Sequence, residues 1–228
     1  MNHGNLVVVY HGCDATVRDD LVSGQLGALT ESNNRYDWLG PGAYFFENDP
    51  VRAQLFAQAS KDNPEKLYTA KPIAAPAVVG AVLRISHWLD MTTQPAIQEF
   101  TAYLEAMKQV GLPLPKNHKA SDSDVDILLR ELDRAVFKFI HEARVEDKQP
   151  AYQAVRGAFS QGDRVAENSG FSTRTHIQIA LREPSCVLGW FLPPEAKLMA
   201  DAEYEAVAWE LAQLNRTRKP KIRARKAS

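Results

Sequence analysis

The stretch VVVYHGCDATVRDDLVSGQL, residues 7–26, begins with β-branched residues and changes character at Tyr10-His11-Gly12. Residues 5–10 read as a continuous buried strand. A helix from Asp14 to Ser23 is expected next, with Asp14 as its cap. A strand that stops at a histidine and a glycine has two readings. It is an ordinary strand end, or it is one wall of a pocket, because glycine lets a ligand approach the backbone closely.

Working outward, GALTESNNRYDWLGPGA (27–43) is rich in Gly, Asn and Ser and reads as a long loop of the kind that often carries function. GAYFF (42–46) is a short strand. DPVRAQLFAQASK (49–61) is a helix, with Asp49 as N-cap and Pro50 at the first helical position. PAVVGAVLRIS (76–86) is a strong strand. Residues 91–147 turn helical, and Leu128, Leu129, Leu132, Val136, Phe139 and Ile140 recur at helical spacing in a stripe expected to pack on the sheet. Strand character returns at 151–159, 175–183 and 185–193, and a last helix covers 202–214. Strands, then a helical block, then strands argue for an α+β fold with a mostly antiparallel sheet.

Bulk properties narrow the class. Apolar content of 45% and charged content of 24% fit a soluble globular chain, and no apolar run is long enough for a transmembrane helix. No signal peptide is recognised at the N-terminus. Cys13 and Cys186 lie far apart without metal-type spacing, so free thiols of a cytoplasmic protein are expected and no metal site. Net charge is −1, but the last 13 residues, RTRKPKIRARKAS, hold seven Lys or Arg, leaving the rest near −8. That tail, 216–228, is a solvated, disordered terminus or a phosphate-binding arm. GxGxxG, Walker, HExxH and GxSxG motifs are absent.

Three strands carry polar or glycine residues where apolar ones would suffice: Tyr10-His11-Gly12, Gly42-Ala43-Tyr44-Phe45 and His176-Ile177-Gln178. An aromatic can stack on a flat ring, and a histidine and a carboxamide on neighbouring strands can orient hydroxyls. Each is also common for structural reasons alone.

In this order the segments resemble the ADP-ribosyltransferase superfamily, and more closely its H-Y-E branch, that of the poly(ADP-ribose) polymerases and diphtheria toxin. VVYHG resembles the family's first strand with its H-G pair. LGPGAYFFENDPVRAQLFA resembles its G-x-G-x-Y-F strand and following helix, VVGAVLRISHWLDM its next core strand, and HIQIALREPSCVLGWF the strand pair that normally begins with the catalytic Glu. DWLGPGAYF, VRGAF and THIQIAL are also similar to patterns in uncharacterised bacterial proteins. Residues 91–147 have no counterpart.

The resemblance implies one domain over 1–215, with a split antiparallel sheet, an NAD⁺ cleft and a helical insertion at 91–147. NAD⁺ is implied as co-substrate, with no metal. His11 would bond the nicotinamide ribose, the Gly12 backbone would hold the amide, and Tyr44 would stack on the nicotinamide. The loop 30–41 would lie over the cleft as a donor loop, with Asn34, Tyr36 and Trp38 joining Gly42, Tyr44 and Phe45 as cofactor contacts, and Arg35 and Asp37 beside them. Alternatively it is a surface loop anchored by Trp38. The family's Glu falls at Gln178, with His176 two residues earlier on the same face. A glutamine bonds hydroxyls but neither carries charge nor takes a proton at neutral pH, so single-unit transfer is implied rather than polymer elongation. Glu31, Asp37, Glu47 and Glu183 are candidate bases. Arg156, Arg174 and Glu183 lie on the implied acceptor side.

The leading reading is a bacterial mono-ADP-ribosyltransferase of the toxin or phage-defence kind. Its acceptor would be nucleic acid ahead of protein, with an antitoxin as a further partner, no membrane, and 91–147 as a docking or regulatory face. An NAD⁺ glycohydrolase and a catalytically inactive NAD⁺- or ADP-ribose-binding module are the alternatives.

Overall fold

The computed structural model describes residues 4–64, 71–119 and 126–217. In chain order the strands are β1 (Asn5–Asp14), β2 (Ala43–Glu47), β3 (Pro76–Ile85), β4 (Trp88–Asp90), β5 (Ala154–Phe159), β6 (His176–Leu181) and β7 (Val187–Phe191). The helices are α1 (Ala15–Ser23), α2 (Pro50–Asp62), α3 (Gln94–Gln109), α4 (Glu131–Glu146) and α5 (Asp201–Thr217). The fold is α+β. Its strands form one open sheet in the order β4-β5-β6-β2-β1-β3-β7, antiparallel except for the β4–β5 pair.

Three expectations are corrected. First, β1 does not end at Tyr10-His11-Gly12. It runs on to Asp14, because ten residue pairs with β3, from Asn5↔Ile85 to Asp14↔Pro76, hold it extended. Second, Trp88–Asp90 adds a short strand ahead of the helical block, parallel to Ala154–Arg156. Third, Leu128 and Leu129 precede α4 instead of lying in it. The Leu129 backbone bridges to His118. The basic tail from 218 onward lies outside the described residues.

Local chemistry accounts for the helix starts. The Asp14 carboxylate accepts from Thr16 N–H and the Thr16 hydroxyl at one oxygen, and from Ala74 and Ala75 N–H at the other. One buried carboxylate thus caps α1 and fastens it to the chain entering β3. Asp49 accepts from Arg52 N–H at 2.8 Å and Pro50 sits in the first turn, which starts α2 as expected.

Directly paired antiparallel residues share a face, so the registers sort every side chain. One face carries Val7, Val9, Phe45, Ala81, Leu83, Ile179 and Leu181, and His11 belongs to it. The opposite face carries Tyr10, Tyr44, Phe46, His176, Gln178, Ala180, Val155 and Phe159. Helices α3 and α4 cover part of this second face. Val136, Phe137 and Ile140 of α4 pack with Val155, Phe159 and Ala180, so the helical block is core rather than a separate lobe. Helix α2 lies on the same face over β1 and β3. A β-carbon on Gly12 would sit 2.2 Å from the Ala53 carbonyl oxygen, so glycine is what lets α2 approach this closely.

Candidate active site

The site is built by an interruption in the sheet. Strands β1 and β2 are paired only at Val9↔Glu47 and Tyr10↔Phe46. Asn48 N–H donates to Val8 C=O, so the even-numbered residues of β1 turn their backbone groups toward β2. The next rung would join Gly12 to Tyr44, and the ladder does not make it. One step further, Gly42 exchanges both backbone hydrogen bonds with Ser32 from the 30–41 loop instead of with β1. A single rung is therefore opened between a paired stretch and a loop residue, and the Gly12 N–H and C=O face the opening. The sheet is continuous, but this seam divides it, which is the nearest it comes to the expected split.

His11 flanks the gap on one face of the sheet. Its Nδ1 lies 2.7 Å from the Tyr44 carbonyl oxygen. A carbonyl only accepts, so Nδ1 carries the proton and Nε2 holds the lone pair in the neutral ring. Burial holds the His11 pKa below its ordinary 6.5, outweighing the backbone hydrogen bond that raises it. The imidazole is a neutral acceptor at pH 7. Its ring meets Phe45 edge-on at 5.8 Å between centroids, on the same face. Phe45 in turn leads to Trp190 at 6.1 Å. Phe45 and Trp190 line a shallow groove of about 50 Å³ with Leu29, Ala43, Leu181 and Val187, and Glu31 and Arg182 add its charged groups.

Tyr44 points to the other face. Its hydroxyl donates to Gly40 C=O at 2.8 Å and accepts from Leu39 N–H at 2.9 Å. Burial raises its pKa well above 10. The phenol is thus used to hold the loop, and the ring is what remains for stacking. Gln178, also on this face, accepts from Trp38 Nε1 at 2.6 Å. Indole N–H is donor-only, so the bonded atom must be Oε1, and the carboxamide NH₂ is left as a donor. His11 and Gln178 lie on opposite faces, joined through the opened rung.

The 30–41 loop is anchored rather than loose. Trp38 and Leu39 are buried against Gly157, where a β-carbon would come within 2.7 Å of the Trp38 ring. Asp37 accepts from the Ser32 hydroxyl at 2.8 Å and from Asn34 N–H, and Asn34 donates to Ser32. Arg35 pairs with Glu131 of α4 at 2.7 Å, and Tyr36 is half-buried. Asn34 and Asp37 therefore help shape the loop.

The remaining candidates scatter. Arg156 and Glu47 are locked together at 2.6 Å, with Asp90 at 3.1 Å, on the His11 face. The Glu47 hydrogen bond and burial act in opposite senses on Arg156, and its pKa rises on balance. Glu183 is exposed and caps a single 3₁₀ turn through Ser185 N–H at 3.1 Å, and that hydrogen bond lowers its pKa. Arg174 is half-exposed near Asp126, at 3.6 Å. His176 bonds the Arg174 carbonyl through Nδ1 at 2.7 Å, and burial pulls its pKa down to about 4. Of the carboxylates proposed as bases, Glu31 alone lines the groove. Sequence reading missed Arg52, Arg130 and Trp190. The last sits on β7 in SCVLGWFLP, where simple alternation would put it opposite Val187; a register irregularity between Gly189 and Val187 brings both to one face.

No family model, curated protein or solved structure matches the chain. Among the described residues, no group of three or more His, Cys, Asp or Glu could hold a metal, and no helix is long and apolar enough to cross a membrane. Cys13 and Cys186 are free and buried.

Proposed function

We propose that this protein is an NAD⁺-dependent mono-ADP-ribosyltransferase whose co-substrate enters at the opened Gly12–Tyr44 rung. The observation that carries the reading is the rung itself. It turns one backbone donor and one backbone acceptor of the same residue toward the gap. A primary carboxamide, as on nicotinamide, presents the complementary acceptor and donor. The Tyr44 ring lies on one side of the gap and the His11 imidazole on the other, so an extended dinucleotide crossing the sheet would meet both.

In this reading His11 Nε2 accepts from a ribose hydroxyl, and the Gln178 NH₂ donates to another oxygen of the same end. The C1′–N bond breaks with its electron pair passing to the nicotinamide ring, which leaves neutral. The sugar becomes oxocarbenium-like, and an acceptor nucleophile attacks C1′ and loses its proton. Gln178 supplies no charge to this cation, so the rate rests on positioning and on excluding water. The same neutrality favours a second reading, hydrolysis of NAD⁺ by water.

The test is incubation with NAD⁺ labelled in the adenylate phosphate, alone and with RNA, DNA or cell protein. Label on a macromolecule supports transfer, and free ADP-ribose alone supports hydrolysis. No consumption of NAD⁺ by a folded preparation overturns both.

A further inference from the structure

On the Tyr44 face, opposite the groove lined by Phe45 and Trp190, a run of rings carries a guanidinium at each end. Arg52 of α2 lies 5.1 Å over Phe46, Phe46 meets His176 at 5.1 Å, His176 meets Phe159 at 5.4 Å, and Arg130 lies 4.2 Å over Phe159. Arg174 supplies the carbonyl that holds His176. These cations share their carboxylates at a distance: Asp126 acts on all three, Asp49 on Arg52 and Asp133 on Arg130. The Arg52 Nη2 bonds the uncharged Gln161 carboxamide at 2.5 Å, Arg130 is 3.9 Å from Asp133, and Arg174 is 3.6 Å from Asp126. The contrast is Arg156, which has carboxylate oxygens at 2.6 and 3.1 Å. Two buried polar atoms among the described residues also lack a hydrogen-bond partner here, Arg52 Nε and His176 Nε2. Unpaired buried groups are costly. Arg52 Nε is a donor that a phosphate oxygen would satisfy, whereas His176 Nε2, whose Nδ1 donates to the Arg174 carbonyl, is an acceptor that calls for a sugar hydroxyl or a base N–H. Burial and then the like charge of Arg174 pull the Arg52 pKa down to about 10, against the opposing pull of Asp49 and Asp126.

We infer that Arg52, Arg130 and Arg174, grouped around Phe46, His176 and Phe159, bind the phosphate backbone of a single-stranded nucleic acid. Three guanidiniums from three separate segments, two of them at opposite ends of a ring run, form an extended strip that suits a polyanion better than one small anion. The inference deepens the acceptor part of the transferase reading, but its test involves neither NAD⁺ nor turnover.

The experiment is fluorescence anisotropy of a labelled oligouridylate with the full chain across a salt series. The wild type binds. Arg52→Gln, Arg130→Gln and Arg174→Gln each weaken binding about tenfold and reduce the slope of log K against log salt by about one. Lys138→Gln, an exposed ion-paired residue on α4, leaves binding unchanged. Thermal melts run beside each variant. If Arg52→Gln fails to fold, half-exposed Arg174→Gln decides the matter. Absence of RNA binding at low salt, equal binding by the folded arginine variants, or displacement of the RNA by equimolar ADP-ribose or inorganic phosphate overturns the inference.

Discussion

Trp38 and Gln178, 140 residues apart in sequence, are joined by a 2.6 Å hydrogen bond from the indole to the carboxamide oxygen. This bond ties the 30–41 loop to β6 at the position where the resemblance places a catalytic glutamate. Gln178→Glu keeps an acceptor for the indole and so holds stability within about 1 kcal/mol. Gln178→Leu leaves the indole N–H unpaired and costs about 1–3 kcal/mol. Urea unfolding checks both. If the sugar passes through a cationic state, Gln178→Glu also raises the rate of NAD⁺ cleavage, which a labelled-NAD⁺ assay reads.

Gly12→Ala drives a methyl into the Ala53 carbonyl, which belongs to a helix backbone and has little room to retreat. The expected cost is about 3 kcal/mol or more, seen as a large drop in melting temperature. Gly189→Ala, whose β-carbon would meet nothing within 4 Å, is the matched control and melts like the wild type.

Tyr44→Phe removes the hydroxyl between Gly40 C=O and Leu39 N–H, and costs about 1–3 kcal/mol while keeping the ring. NAD⁺ cleavage survives in this variant and is abolished in Tyr44→Ala if the ring is the stacking surface. Loss of cleavage in Tyr44→Phe at full stability would instead make the hydroxyl part of the chemistry.

Three histidines are held neutral by burial. His11 is shifted below 6.5, His176 to about 4 and His141 to about 3. Their unfolded-state pKa is about 6.5, so below that pH the unfolded chain takes up protons that the folded chain refuses. Stability contributed by these sites is therefore unchanged above pH 6.5 and falls as pH drops toward 4. At pH 5 His176 and His141 cost about 2 kcal/mol each. Urea unfolding at pH 7.5 and pH 5.0 measures the loss, and His141→Gln, if folded, reduces it.

Arg156→Met leaves Glu47 and Asp90 half-buried without their cation and costs about 3 kcal/mol. If Arg156 is structural, transfer by the folded variant stays at the wild-type level. A selective loss of acceptor modification would restore Arg156 to the acceptor side.

What could be read from the chain alone follows the range of the determining interaction. Asp14 and Asp49 were legible as caps because a cap bonds a residue two or three positions on. The true end of β1 was not, since ten pairs with a strand some seventy residues away decide it. Trp88–Asp90 has only three residues and takes its extended form from a parallel partner far along the chain. Leu128-Leu129 imitated helical spacing while answering to His118. At the site, His11, Gly12 and Tyr44 stood out by residue type. Their division between two faces needed the strand registers. The grouping of Arg52, Arg130 and His176 left no local mark, because α2, the residue before α4 and β6 bring them together from three segments.

The seam also has a mechanical meaning. Strand β1 is zipped to β3 along ten residue pairs, yet it meets β2 at two. Pulled apart, the sheet tears at that junction first, into β7-β3-β1 and β2-β6-β5-β4. Hydrogen exchange should register the same weakness at equilibrium, with amides of Tyr10 and Phe46 exchanging by a low-energy opening while Val79 and Ala81 wait for global unfolding. The fracture line and the proposed point of NAD⁺ entry are then one feature, and a molecule threaded through the opening would act as a rivet between the two halves.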